Sequence, residues 1–248
     1  MTQSFSGRQV VVTGGASGFG RGIAEAFVDR GASVTLLDIN QSLLLETTEA
    51  LSAKGNVSGI TCDITHGDQV QETIASLPRI DVFINNAGVT HLPAPLEDIE
   101  AAEFDRVWQV NMRAIYLISR EVVPKMKQAG GGVILNIAST AGISPRPNLT
   151  WYNASKGWLI TATKSMAAEL APAGIRVNAI CPVAGETPLL SSFMGEDTPE
   201  MREKFLATIP LGRFSTPDDV GATACFLASD EASMLTGVAL EVDGGRCI

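Results

Sequence analysis

Apolar and polar positions along this chain follow two alternating periods. Short runs rich in valine, isoleucine and leucine recur at 8–14, 32–37, 56–62, 81–85, 132–138, 175–181 and 238–242. Continuous apolar runs of that length, bounded by turn residues, read as strands buried on both faces. Between them, apolar residues spaced three and four apart mark helices near 21–30, 41–54, 66–77, 100–128, 152–172 and 217–228. In the first of these the apolar face is Ile23, Ala24, Phe27 and Val28. Regular alternation of strand and helix predicts an α/β fold, a parallel sheet with helices on both faces joined by right-handed crossovers. One stretch breaks the rhythm. Residues 186–216 mix Met194, Gly195, Met201, Phe205 and several prolines. They are expected to form a lid that closes on substrate, the alternative being a mobile surface loop. With 248 residues and no repeats or linkers, one domain over 1–248 is expected.

The first strand runs into Thr13-Gly14-Gly15-Ala16-Ser17-Gly18-Phe19-Gly20 and then into a helix. Strand, glycine-rich turn and helix N-terminus make a cradle for a pyrophosphate. Gly14 permits the tight turn, while Gly18 and Gly20 allow backbone to approach ligand and sheet. The helix start presents unpaired N–H groups and a partial positive charge. The second strand ends in Asp38, placed to accept hydrogen bonds from the adenosine ribose hydroxyls and to repel a 2′-phosphate. Neither Ala16 nor Ser17 supplies a cation, and Ile39 stands where a basic residue would serve a 2′-phosphate. These residues predict NAD as the cofactor.

Tyr152-Asn153-Ala154-Ser155-Lys156 carries the second pattern. On a helix, Tyr152 and Lys156 share one face, and the chain has only two tyrosines. A lysine beside a phenol favours the phenolate, which can accept a proton from an alcohol while a hydride leaves its carbon. A free phenol titrates near ~10, so bringing it to roughly 7 to 8 requires about 3–4 kcal/mol of differential stabilisation.

Together these motifs resemble the short-chain dehydrogenase/reductase family, and the resemblance covers the chain essentially end to end. The family's TGxxxGxG pattern is Thr13 to Gly20, its adenine-ring aspartate is Asp63, and its NNAG signature is Asn85-Asn86-Ala87-Gly88. Its catalytic asparagine, serine, tyrosine and lysine fall on Asn111, Ser139, Tyr152 and Lys156. The resemblance implies a doubly wound (Rossmann) sheet of seven parallel strands in the order 3-2-1-4-5-6-7. It places the cofactor against Gly14, Ser17, Gly18, Phe19, Gly20, Asp38, Ile39, Cys62, Asp63, Ile64, Asn86, Ala87, Gly88, Tyr152, Lys156, Pro182, Val183, Gly185 and Thr187. It also implies that Ser139 holds the substrate oxygen, that Lys156 binds the nicotinamide ribose, and that Asn111 anchors a water completing a proton relay. One departure stands out. Valine occupies position 183 where the family usually has glycine. A positive φ would be costly for valine, so an ordinary extended conformation is expected there.

Composition narrows the classes. No apolar run reaches eighteen residues, so no membrane span is expected, and the polar N-terminus lacks signal-peptide anatomy. A net charge of −9 argues against nucleic acid and anionic membranes as partners. Cys62, Cys181, Cys225 and Cys247 lack metal spacing and read as thiols of a reducing cytoplasm. His66 and His91 are too isolated for a metal site; His66 reads as near a helix start and His91 as loop surface. Candidate substrate contacts are Thr140, Ala141, Arg146, Asn148, Trp151, Ala184 and Glu186.

Three readings compete: an NAD-dependent dehydrogenase of secondary alcohols, sugars or polyols; a 3-oxoacyl-carrier-protein reductase, with Lys125 and Lys127 as a docking patch; and a catalytically silent dinucleotide sensor. A homotetramer is expected, because the helices at 100–128 and 152–172 carry Val107, Val110, Ile115, Ile118, Leu159, Ala162, Met166 and Ala167, more apolar surface than one sheet face covers. The chain end, Leu240 to Ile248, also finishes apolar.

Overall fold

Seven parallel strands form one sheet in a computed structural model that describes residues 4–248. The elements run β1 (Gln9–Thr13), α1 (Gly18–Val28), β2 (Ser33–Asp38), α2 (Gln41–Ser52), β3 (Val57–Thr61), α3 (Gly67–Ser76), β4 (Val82–Asn85), α4 (Ala101–Trp108), α5 (Ala114–Gln128), β5 (Gly132–Ile137), α6 (Thr150–Leu170), β6 (Ile175–Pro182), α7 (Leu190–Met194), α8 (Pro199–Leu206), α9 (Pro217–Ala228) and β7 (Ala239–Val242). The spatial order is β3-β2-β1-β4-β5-β6-β7, as the resemblance implied. Consecutive strands β3 and β4 lie on opposite sides of β1, so their connections leave a crevice at the carboxyl ends of β1 and β4, where open α/β sheets bind ligands.

Each sheet face has its own core. Val10, Val12, Leu36 and Ile84 point to one side against Ile23, Phe27 and Ala224, while Val11, Leu37, Phe83 and Ile134 point to the other against Val70, Ile118 and Met126. This two-sided burial is why the strands read as continuous apolar runs. A buried polar chain crosses the sheet beside the cores. Asn85 donates to Asn136 at 2.8 Å, Asn136 to Thr163 at 2.9 Å, and Thr163 to the Leu159 carbonyl at 2.8 Å. It fixes α6 against β4 and β5.

Several expectations need correction. The helical pattern at 100–128 is interrupted: between α4 and α5, Gln109–Arg113 widens into a π-helical turn. The stretch 186–216 is not irregular, since it holds α7 and α8. His91 is buried, not on the surface; its Nδ1 meets the Leu92 carbonyl at 2.8 Å. Val107, Ile115, Ile118, Leu159 and Ala167 are buried within the chain's own fold and need no symmetry mate. The outward apolar residues of these helices are instead Phe104, Trp108, Tyr116 and Trp158, which the 3.6-residue pattern alone did not separate from the core face. Lys125 is no free docking cation: its ammonium donates to the carbonyls of Ile74, Ala75 and Leu77, closing the end of α3. Val183 avoids positive φ, since Asn148 is the non-glycine residue that adopts it among the described residues.

Helices α1 and α9 touch through glycines. A Cβ on Gly22 would lie 2.3 Å from the Pro217 Cβ and 2.9 Å from its backbone. Alanine in a helix interior ordinarily gains roughly 0.5–1 kcal/mol over glycine. Here the clash reverses the sign, and Gly22→Ala is expected to cost about 1–3 kcal/mol. A fall in the urea unfolding midpoint checks this; a rise would show that α9 slides freely.

Candidate active site

One cavity of roughly 570 Å³ opens along the carboxyl edge of the sheet. One end is lined by Asp38, Ile39, Cys62, Asp63 and Ile64, the middle by Gly14, Ser17, Gly18, Phe19, Asn86, Ala87 and Gly88. The other end is lined by Ser139, Tyr152, Lys156, Pro182, Val183, Gly185 and Thr187. The predicted residues are thus brought together, with two exceptions. Gly20 and Asn111 lie behind the cavity wall and support it.

The glycine turn is held by backbone proximity. Gly14 and Gly18 adopt φ of 62° and 53°, conformations that favour glycine. A Cβ on Gly20 would meet the Gly14 carbonyl oxygen at 2.0 Å and Asn86 Nδ2 at 2.5 Å. Asn86 Nδ2 donates to the carbonyls of Thr13 and Gly14 at 2.9 and 3.0 Å, and the Thr13 hydroxyl oxygen accepts from the backbone N–H of Asn86 and Ala87. No side chain caps α1, so its first N–H groups open onto the cavity with their partial positive charge. Asp38 sits at the tip of β2. One carboxylate oxygen accepts from Ala16 N–H at 3.0 Å and the other from Asn40 N–H at 2.9 Å, leaving each oxygen a further lone pair. Ile39, 66% exposed, offers a flat apolar surface beside it. A bare backbone cradle, an anion-attracting helix start and a carboxylate with spare acceptor capacity fit a nicotinamide dinucleotide.

At the opposite end α6 brings two titratable side chains to the cavity. Tyr152 lies in its first turn and Lys156 one turn on, both buried. Ser139 lines the cavity together with the Tyr152 phenol, and its hydroxyl oxygen accepts Ala141 N–H at 3.1 Å. Lys156 Nζ donates to the Ile137 carbonyl at 2.9 Å and lies 5.8 Å from the Tyr152 ring centre. Here the structure departs from the electrostatic expectation. Burial pushes the Tyr152 phenol up to about 12, against the opposing pull of Ser139. Burial likewise pushes Lys156 down to about 8. Desolvation works against the charged form of each group, yet at about 8 Lys156 remains a cation at neutral pH. Asn111 is committed to protein groups: its Oδ1 accepts Val89 N–H at 2.9 Å, and its Nδ2 donates to the Val89 carbonyl at 2.9 Å and Ser155 Oγ at 3.0 Å. It lies in the π-helical turn, a feature frequent at functional sites.

Of the expected substrate contacts, Thr140, Ala141, Arg146 and Ala184 line the cavity. Asn148, Trp151 and Glu186 do not. Asn148 is exposed with a φ of 63°. Trp151 turns away to stack edge-on against Phe104 and to donate to the Leu96 carbonyl. Glu186, next to a bridge between Gly185 and Ser215, is exposed. Phe193 was missed. Its ring packs 5.0 Å from that of Tyr152 at 61°, so α7 closes the wall over the phenol. The only sequence signal was the apolar content of 186–216.

Fold and cavity define an open α/β oxidoreductase with a dinucleotide crevice and a serine–tyrosine–lysine centre at its far end. A family model described as enoyl-(acyl-carrier-protein) reductase matches residues 14–246. The chain is 47% identical to 4-formylbenzenesulfonate dehydrogenase of Comamonas testosteroni over 244 residues, 96% of this chain and 97% of that one. It is 39% identical to a 3-oxoacyl-(acyl-carrier-protein) reductase of Thermotoga maritima over 248 residues, 98% of each. A 3-ketoacyl-(acyl-carrier-protein) reductase from Brucella melitensis complexed with NADH superposes with a TM-score of 0.92 at 43% identity, covering 99% of this chain and 100% of the other. The chain belongs to the short-chain dehydrogenase/reductase family. It is an oxidoreductase that uses a nicotinamide dinucleotide and acts on CH–OH groups of small molecules.

Lys156 yields a pH prediction. Its folded value, about 8, lies below the ordinary value of 10.5. The unfolded chain therefore binds more protons between these values, and stability rises with pH across that window. Tyr152 is shifted upward and works in the opposite direction only above pH ~10. Lys156→Met in the cofactor-free protein should be more stable than the parent below pH 8, by on the order of 3 kcal/mol. That advantage should shrink between pH 8 and 10. Urea unfolding of both proteins at several pH values checks this; a pH-independent difference would show Lys156 to be solvated.

Proposed function

We propose that this chain is an NAD-dependent dehydrogenase of secondary alcohols, such as sugars, polyols or other hydroxy compounds, with Tyr152 as the acid/base. The convergence of Ser139, Tyr152 and Lys156 on one end of the cavity, with Tyr152 and Lys156 one helical turn apart, carries the reading. Asp38 supports NAD over NADP, because a 2′-phosphate would meet its carboxylate. When bound, the cofactor accepts or returns the hydride and brings a positive ring in its oxidised form. Ser139 orients the substrate oxygen and Tyr152 takes its proton. At about 12 the phenol is a poor base, and each unit by which it falls requires about 1.4 kcal/mol of favourable charge interaction. A protonated Lys156 supplies part of that, and also holds the ribose. Asn111 acts as a positioning residue: it clamps Val89 and, through Ser155, the turn of α6 that carries Lys156.

The remaining cofactor contacts follow the lining residues in the order given above. Residues 186–216 act as the lid of a single 1–248 domain, with Phe193 as the part that seals Tyr152. Cys62, Cys181 and Cys225, buried and free, suit a reducing cytoplasm. A 3-oxoacyl-carrier-protein reductase is the second reading, favoured by the similarity to two such reductases. The net charge of −9 and the committed Lys125 weigh against docking of an acidic carrier.

Steady-state kinetics over a panel of secondary alcohols and ketones tests the reading. The expected outcome is higher kcat/KM with NAD(H) than NADP(H), and loss of roughly 10²–10⁴ in kcat for Tyr152→Phe, with NAD affinity nearly kept. Equal use of NADP(H), or a Tyr152→Phe enzyme retaining a tenth of kcat, would overturn it.

Assembly as a homotetramer is part of the proposal. Phe104, Trp108, Tyr116 and Trp158 leave one apolar face open, and Phe226, Met234, Leu240 and Ile248 leave a second beside edge strand β7. Two separate self-complementary faces generate two-fold axes. Light scattering should give four times the 26.1 kDa chain mass; a single-chain mass at micromolar concentration would refute it.

A further inference from the structure

Five arginines, Arg8, Arg79, Arg106, Arg202 and Arg213, sit within ion-pair distance of a carboxylate. Arg146, which lines the substrate chamber, and Arg246, close behind it, do not. The Arg146 guanidinium carbon lies 4.1 Å over the Phe205 ring, and one nitrogen donates to Thr208 Oγ1 at 3.1 Å. Arg246 reaches the same corner from the chain end. Its Nη1 donates to Ser144 Oγ at 3.2 Å, and its Nε is enclosed without a partner. The nearest acid on its own segment, Asp243, accepts from the N–H groups of Gly245 and Cys247. Neither arginine forms an ion pair among the described residues, in a chain of net charge −9.

Both are held in place from the catalytic side. Asn153, next to Tyr152, donates to the Arg146 carbonyl at 2.7 Å. The Gly244–Gly245 turn packs on Ile209, Pro210 and Leu211, which lie just beyond Thr208. Two fixed, unpaired cations beside an apolar ring form a receptor for a compact oxyanion. We propose that Arg146 and Arg246 form an anion subsite at the distal end of the chamber, and that the alcohol or ketone handled at Tyr152 carries a carboxylate or sulfonate there. The substrate half of this statement rests on the chemistry proposed for Tyr152; the subsite itself does not. Burial, with the neighbouring Arg246, lowers Arg146 to about 10. It remains a cation at neutral pH, and an anion would relieve the repulsion.

The test has a binding arm and a turnover arm. Calorimetry on the enzyme with saturating NAD compares 4-methylbenzenesulfonate, 4-methylbenzoate and 4-methylphenyl phosphate with neutral 4-methylbenzamide. The sulfonate or carboxylate should bind at least roughly tenfold tighter than the amide, and Arg146→Gln or Arg246→Gln should each weaken that binding roughly ten- to hundredfold. Arg146→Lys, which keeps the charge, should retain part of the preference and guards against a variant that fails to fold. In the turnover arm, kcat/KM for 4-(1-hydroxyethyl)benzoate over its benzamide should exceed one, through KM, and collapse in the double variant. Equal binding of anions and amide, or equal losses for both in the variants, would overturn the subsite. Preference for the phosphate would overturn the choice of anion. Anion binding without turnover of any secondary alcohol would leave the subsite and refute the Tyr152 chemistry.

Discussion

The close approach of the glycine turn to the strand beside it is the constraint on which the rest depends. At Gly14 and Gly20 two backbone segments lie closer than any Cβ allows, and Asn86 bridges them with its side-chain amide. That contact joins β1 to the end of β4 and sets where α1 begins. The uncapped start of α1 then lies open at the crevice, and Asp38, tethered through Ala16 N–H, lies at a fixed offset from it. A side chain at Gly20 would separate these pieces together, so the cradle and the Asp38 carboxylate form one structural unit.

Burial governs the opposite end. Phe193, the buried helix face and the sheet edge surround Tyr152 and Lys156, and burial works against the charged form of each. This reverses the expectation from spacing, that lysine lowers tyrosine. Proximity in sequence sets which groups meet; the dielectric around them sets which protonation state wins.

How much of this was legible follows from where each constraint resides. Strand and helix positions were readable because two-sided burial writes itself as apolar runs. The cradle was readable because only glycine satisfies it, and Tyr152 with Lys156 because four residues make one helical turn. What escaped depends on tertiary context. The π-helical turn at Asn111 inserts no recognisable residue. His91 is polar in sequence yet buried by the fold. Phe193 looks like any lid aromatic until α7 lays it on Tyr152. The residues expected to pair with symmetry mates were apolar for the chain's own core, while Trp108 and Tyr116, whose polar atoms suit partial exposure, carry the open face.

Helix α6 explains why the two ends of the chamber differ in kind. Within little more than one turn Asn153 holds the Arg146 carbonyl, Ser155 meets Asn111 and Lys156 meets Ile137. Further along, Thr163 joins the polar chain through the sheet. Each bond ties the helix to a different element, so the reacting groups move only if several buried bonds break together. The substrate wall has no such frame. It is assembled from a loop, two short helices and the chain end, with Gly195 and Gly212 at positive φ flanking α8. Substitution there leaves the buried bonds that hold α6 in place. That division lets relatives with closely matching folds carry names for sulfonated aldehydes and acyl carriers alike.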